Sequence, residues 1–230
     1  MLSLRSLSFQ YGSVQALREV SLECPVGQIT CVMGRNGVGK TTLMRTVMGQ
    51  LKARSGTVHL GDQDITALPV HRRAKAGLAL VPQGREIFPR LTVLENLEVG
   101  LSARSDGLRR VPDELIDLFP ILRTFIHRRG GDLSGGQQQQ LAIARALVGK
   151  PTTLLLDEPT EGIQPNIIQD IGRALQRLAD AGMTIILVEQ YLDFVKEIGH
   201  RFAIMDRGKV VADGSTTELT AEVVERHLRL

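Results

Sequence analysis

Cysteine is scarce in this 230-residue chain: there are two, Cys24 and Cys31. Both lie in apolar runs and form no Cys-x-x-Cys pair. That argues against a disulfide framework or a zinc site and reads as two buried thiols in a reducing cytosol. The five histidines (His59, His71, His127, His200, His227) fall at no ligand spacing, so no metal is assigned to them. No apolar run reaches the ~18 residues that a bilayer-crossing helix needs, and the opening residues lack an apolar core followed by a cleavage site. A cytosolic protein is expected, with any membrane association supplied by a partner. The net charge is only +3, with acids and bases interspersed. With no basic stripe, no sustained heptads and no internal repeats, nucleic acid is not implied.

What is present reads as alternating strands and helices in a chain long enough to bury a full core. Residues 2–9 and 20–24 alternate apolar with polar, and a Pro-Val-Gly turn leads into the apolar run 29–33. A glycine loop follows, then good helix formers over 40–48 with Gly49 at a C-cap position. Strands are expected at 57–60 and 78–81, with a short helix at 70–76 between them. Thr92 and Glu95 have the spacing of a capping box, and 112–119 is amphipathic. Ser134 is placed to cap a helix over 135–148 that holds the four glutamines 137–140. Two fully apolar strands, 153–156 and 183–188, flank a helix over 165–181, the pattern of a parallel sheet covered on both faces. A hairpin is expected between 202–205 and 209–212, with an amphipathic segment from Leu219 onward.

The chemistry concentrates in Gly34-Arg35-Asn36-Gly37-Val38-Gly39-Lys40-Thr41, followed by Thr42. A phosphate chain needs inward-pointing backbone amides and residues without side chains at closest approach, which Gly34, Gly37 and Gly39 can give. Lys40 adds positive charge, and the Thr41 hydroxyl is a ligand for the Mg2+ that bridges the phosphates of ATP. Asp157, at the end of an apolar strand, is the expected second Mg2+ partner. Glu158 beside it is the expected general base for the attacking water.

Leu133-Ser134-Gly135-Gly136-Gln137 then stands ahead of Asp157-Glu158, and with it the chain resembles ABC transporter ATP-binding subunits over nearly its whole length. The resemblance implies an α/β fold: a P-loop NTPase (RecA-like) core with an N-terminal antiparallel β region and an inserted α-helical subdomain. Its parts would be a core of about 1–87 and 151–213, a helical subdomain of about 88–150 and a helical tail of 214–230. It also implies a dimer in which ATP on one subunit's phosphate loop is covered by the Leu133, Ser134, Gly135, Gly136 and Gln137 segment of the other. A helix N-terminus suits that task, since its free amides favour an anion. Tyr11 looks like the aromatic that stacks on adenine. Gln83 looks like the glutamine that joins Mg2+, the water and the helical subdomain.

Two positions depart from the commonest pattern of the family. Gln190 stands where many members have histidine, so a histidine relay is absent and Glu158 becomes the stronger base candidate. Glu161-Gly162-Ile163-Gln164 lacks the usual closing Asp. Both resemble the branched-chain amino acid and urea importer group, and residues 84–97 and 161–165 look most like its urea or short-chain amide importers. Branched-chain amino acid import is the alternative cargo, and a non-transport ATPase acting on nucleic acid or ribosomes the more distant one. The resemblance further implies a second ATPase subunit, more often a homologue than an identical copy. It adds two membrane permeases, an indirectly acting periplasmic binding protein, and a place on the cytoplasmic face of the inner membrane. Ile87, Phe88 and Leu91 are candidates for the groove that receives a permease helix.

Overall fold

Two strands of ten and eleven residues, β1 (Leu2–Tyr11) and β2 (Val14–Cys24), open the computed structural model, which describes residues 1–228. They form one hairpin around Gly12-Ser13, longer than the short strands the sequence pattern suggests. Three register shifts between Leu4 and Gln10 break the apolar alternation and conceal it from a period-two reading. β4 (Ser55–Leu60) and β5 (Gln63–Asp64) complete an antiparallel sheet in the order β2-β1-β4-β5.

The second sheet holds β3 (Ile29–Met33), β6 (Leu78–Val81), β7 (Thr153–Asp157), β8 (Thr184–Val188), β9 (Arg201–Asp206) and β10 (Lys209–Ser215). Its order is β10-β9-β3-β8-β7-β6, parallel except for the β9–β10 hairpin, which pairs Asp206 with Lys209. The apolar runs follow from burial on both faces. Ile29, Cys31, Leu154, Leu156, Ile185 and Leu187 pack on the side of α7 (Pro165–Asp180) and α8 (Leu192–Ile198). Val32, Leu155, Ile186 and Val188 face the antiparallel sheet across α1 (Lys40–Met48).

α2 (Val70–Lys75) precedes β6, and between β6 and β7 lie α3 (Val93–Val99), α4 (Asp113–Asp117), α5 (Pro120–Thr124) and α6 (Gly135–Val148). The amphipathic stretch at 112–119 therefore ends early. Pro120 starts a separate helix at a position where its missing N–H costs nothing. The expected helical tail of 214–230 begins later than anticipated: Gly214 and Ser215 belong to β10, and α9 spans Ala221–His227. Residues 229 and 230 of that expectation lie outside the described residues. Helix α8, which the sequence pattern did not suggest, contributes Phe194, Val195 and Ile198 to the core. Both cysteines are buried and free, and burial pushes the Cys24 thiol up to about 12.

Candidate functional site

β3 ends at Met33 and α1 begins at Lys40, so the glycine loop spans the end of a central strand and the start of a helix. The glycines serve different needs. A Cβ on Gly34 would strike the Met205 carbonyl, and one on Gly39 would come within 2.7 Å of the Ala16 carbonyl. At both positions φ is positive, 146° and 110°, so only glycine fits without strain. At Gly37 a Cβ would meet no protein atom within 4 Å, leaving that side free for a ligand. Lys40, 5% exposed, donates from Nζ to the carbonyls of Gly34 at 2.7 Å and Arg35 at 3.0 Å. It lies 3.7 Å from Glu158 Oε1. Burial lowers its pKa despite the nearby Glu158 and Asp157 carboxylates.

The far end of α1 is anchored by a residue the sequence reading passed over. Arg73, 4% exposed, donates to the carbonyls of Thr46, Val47, Thr66 and Leu68. Its guanidinium thus gives a donor to the helix-end Val47 carbonyl and ties the end of α1, where Thr46 also accepts from the Gly49 amide, to the Thr66 and Leu68 carbonyls.

Asp157 closes β7 and is 3% exposed. Burial raises its pKa, while the Thr41 hydroxyl beside it pulls the other way. Its Oδ1 is buried and has no hydrogen-bond partner. An orphaned carboxylate oxygen next to a threonine hydroxyl at the phosphate loop is the donor set a hard divalent cation takes. Mg2+ therefore fits between Thr41 and Asp157, whereas the Gln83 amide is engaged with Glu158 and Glu161 and makes no contact with Asp157.

Three distant segments meet at Glu158. Gln83, just beyond β6, donates from Nε2 to Glu158 Oε2 at 3.2 Å and to Glu161 Oε2 at 3.0 Å. Gln190, beyond β8, donates to Glu158 Oε1 at 2.6 Å and to Asn36 Oδ1 at 2.9 Å. Glu158 itself holds φ of 50°, an uncommon conformation for a residue with a side chain, of the kind found at functional sites.

Most of these residues, though not the buried Asp157, line one cavity of about 900 Å3. It takes in Tyr11, Asn36 through Thr42, Gln83, Glu158 and Gln190. Gly34, which is buried, and Arg35, which is exposed, are not on its wall. Tyr11, 47% exposed, stands edge-on to Phe9 with ring centroids 4.8 Å apart, which leaves a face for a planar base. Sequence reasoning did not pick out Val14, Arg18, Glu189, Tyr191 or Arg207, which also line the cavity. No local motif marks them, because they come from neighbouring strands and loops.

The segment Leu133 to Gln137 is not on that wall. Leu133 is buried, whereas Ser134 is exposed at the start of α6. Ser134 Oγ accepts from the Gln137 amide, and Gln137 Oε1 accepts from the Ser134 amide at 3.0 Å. The reciprocal cap sits at an exposed Ser134, with Gly135 and Gly136 half-buried in the first turn, and none of these residues lines the cavity at the phosphate loop.

A model of the ABC transporter family matches residues 17–161. The chain is 40% identical to the high-affinity branched-chain amino acid transport ATP-binding protein BraG of Pseudomonas aeruginosa, over 92% of this chain and 91% of that protein. It is 38% identical to the probable branched-chain amino acid transport ATP-binding protein LivF of Archaeoglobus fulgidus, over 95% and 94%. Among solved structures, a dimeric post-hydrolysis ATP-binding cassette bound to ADP and Pi superposes with a TM-score of 0.84. It is 26% identical and covers 94% of this chain and 99% of that one.

Proposed function

The chain belongs to the ABC transporter family, and on that premise we propose that it powers an importer of branched-chain amino acids from beneath two membrane permeases. It is an ATPase that uses ATP and Mg2+ and couples hydrolysis to transport. ATPase subunits of this family work as dimers with membrane permeases. The second ATPase here is a homologous subunit. The observation that carries the cargo reading is the full-length similarity to BraG. Urea or a short-chain amide, which the sequence suggested first, is the second reading. It rests on residues 84–97 and 161–165, while both BraG and LivF are named for branched-chain amino acids.

In this reading the loop amides and Lys40 hold the phosphates of ATP, and Tyr11 stacks on the base. Thr41, Asp157 and the Gln83 amide oxygen would hold Mg2+, which would neutralise negative charge on the phosphates. Glu158 takes the proton of the attacking water, and Gln190 orients Glu158 without itself taking a proton. Ser134, Gly135 and Gly136 of the facing subunit complete the site with free amides.

No described helix is long and apolar enough to cross a membrane, so contact with the permeases falls to a surface. A groove of about 310 Å3 beside α6 includes Phe88, Val99 and Arg145. Of the three sequence candidates, Phe88 lines it and is 44% exposed, Ile87 packs on the core, and Leu91 is half-buried outside it. Reconstituted complex should take up leucine in an ATP-dependent manner and leave urea outside. Uptake of urea alone would replace this cargo with the second reading.

A further inference from the structure

Glu189 is the buried carboxylate of this site to which nothing above gives a task. It is 3% exposed and follows β8 directly. Its Oε1 accepts from the Thr160 hydroxyl, and its Oε2 accepts from the backbone amides of Gln190 at 2.7 Å and Tyr191 at 3.0 Å. Thr160 is itself buried in the tight turn that follows Glu158, where the Glu161 amide donates to the Glu158 carbonyl at 3.3 Å. One carboxylate therefore grips two loops: one carries Glu158 and Glu161, the other Gln190.

We propose that Glu189 is a positioning residue for hydrolysis, clamping the Glu158 loop to the Gln190 loop and so fixing the contact between those two side chains. The proposal rests on the assignment of Glu158 and Gln190 to the hydrolysis centre. Both Glu189 oxygens are occupied by donors within the protein, so Glu189 acts through its neighbours. Buried hydrogen bonds to a charged acceptor are among the stronger polar contacts. A site whose reacting groups drift by about 1 Å loses up to about a hundredfold in rate.

The test is steady-state ATP hydrolysis with Mg2+ by the assembled transporter complex that carries the variant chain, alongside the melting temperature of the purified chain. Thr160→Val should lower kcat by about tenfold, with KM for ATP and Tm close to wild type. Glu189→Ala should lower kcat at least as far and also lower Tm, because the Gln190 and Tyr191 amides lose their acceptor. Glu189→Gln should recover most of the lost rate. Its oxygen can accept from the two amides while its NH2 donates to a reoriented Thr160 hydroxyl. Glu189→Ala combined with Gln190→Ala should be no slower than the slower single variant, because the two act as one unit. Wild-type kcat in Thr160→Val, a Glu189→Gln variant as slow as Glu189→Ala, or a rate loss in Thr160→Val matched by a fall in its Tm would each overturn the proposal. If Glu189→Ala does not fold, Thr160→Val decides alone, since it leaves the two amides capped. Persistent turnover in Glu158→Gln would instead strike the underlying assignment.

Discussion

Gln190 Nε2 donates to Glu158 Oε1 across 2.6 Å, joining two residues 32 positions apart at the ends of adjacent strands. The same amide also reaches Asn36 of the phosphate loop. A glutamine at this point can hold the carboxylate and report on the nucleotide but cannot carry the proton. Glu158→Gln should therefore leave the ATP Kd near wild type while slowing hydrolysis by about a hundredfold or more, the scale of general-base catalysis. Nucleotide binding by fluorescence and single-turnover hydrolysis separate the two effects.

The raised pKa of Asp157 carries a stability consequence. A carboxyl whose pKa is higher in the folded than in the unfolded state binds its proton more tightly when folded. Its contribution to stability is thus greatest in acid and falls as pH rises from the ordinary carboxylate range through the raised value. Asp157→Asn should melt higher than wild type at pH 8 without nucleotide, with the gain shrinking toward acid. It should also lose the stabilisation that Mg2+ with ATP gives the wild-type chain. Thermal melts at several pH values, with and without Mg-ATP, measure both.

Arg73 holds the C-terminal end of the helix whose other end begins at the phosphate loop. Replacing it by alanine leaves several buried carbonyls without a donor, at a cost of about 3 kcal/mol. Guanidinium unfolding of Arg73→Ala should show that loss, and Arg73→Lys should recover only part of it, because one ammonium cannot span four carbonyls.

The site was legible in sequence wherever its requirement is local. Gly34 to Thr42 and Asp157-Glu158 are contiguous residues whose strand and helix neighbours announce themselves by apolar runs and caps. The Ser134 cap likewise shows in four consecutive residues. Contacts closed by the fold were not legible. Glu189 meets Thr160 from 29 positions away, and Gln83 meets Glu158 from 75, with no spacing rule to join them. The β1–β2 hairpin was hidden by its bulges. Helix α8 was hidden by its brevity, because seven residues give less than two full turns of periodicity.

Phe88 lies exposed at the groove beside α6, with the Arg145 guanidinium 5.2 Å from its ring centroid. Asn96 fixes the segment by accepting from the Phe88 amide and donating to the Phe88, Leu91 and Thr92 carbonyls. Phe88→Asp should therefore leave the fold and ATP binding intact while reducing uptake by the assembled transporter. Equal uptake and assembly in the variant would remove Phe88 from the permease contact.

ATP held by one subunit's Lys40, Thr41 and Glu158 should be covered by the exposed Ser134 end of the facing subunit. Ser134→Arg in the assembled complex tests it, read by photolabelling of this chain with an azido-ATP and by ATP turnover of the whole complex. The chain should label as in wild type while turnover falls, because the damaged helix end serves the other subunit's nucleotide. Unchanged turnover, or loss of label from the chain that carries the substitution, would contradict it.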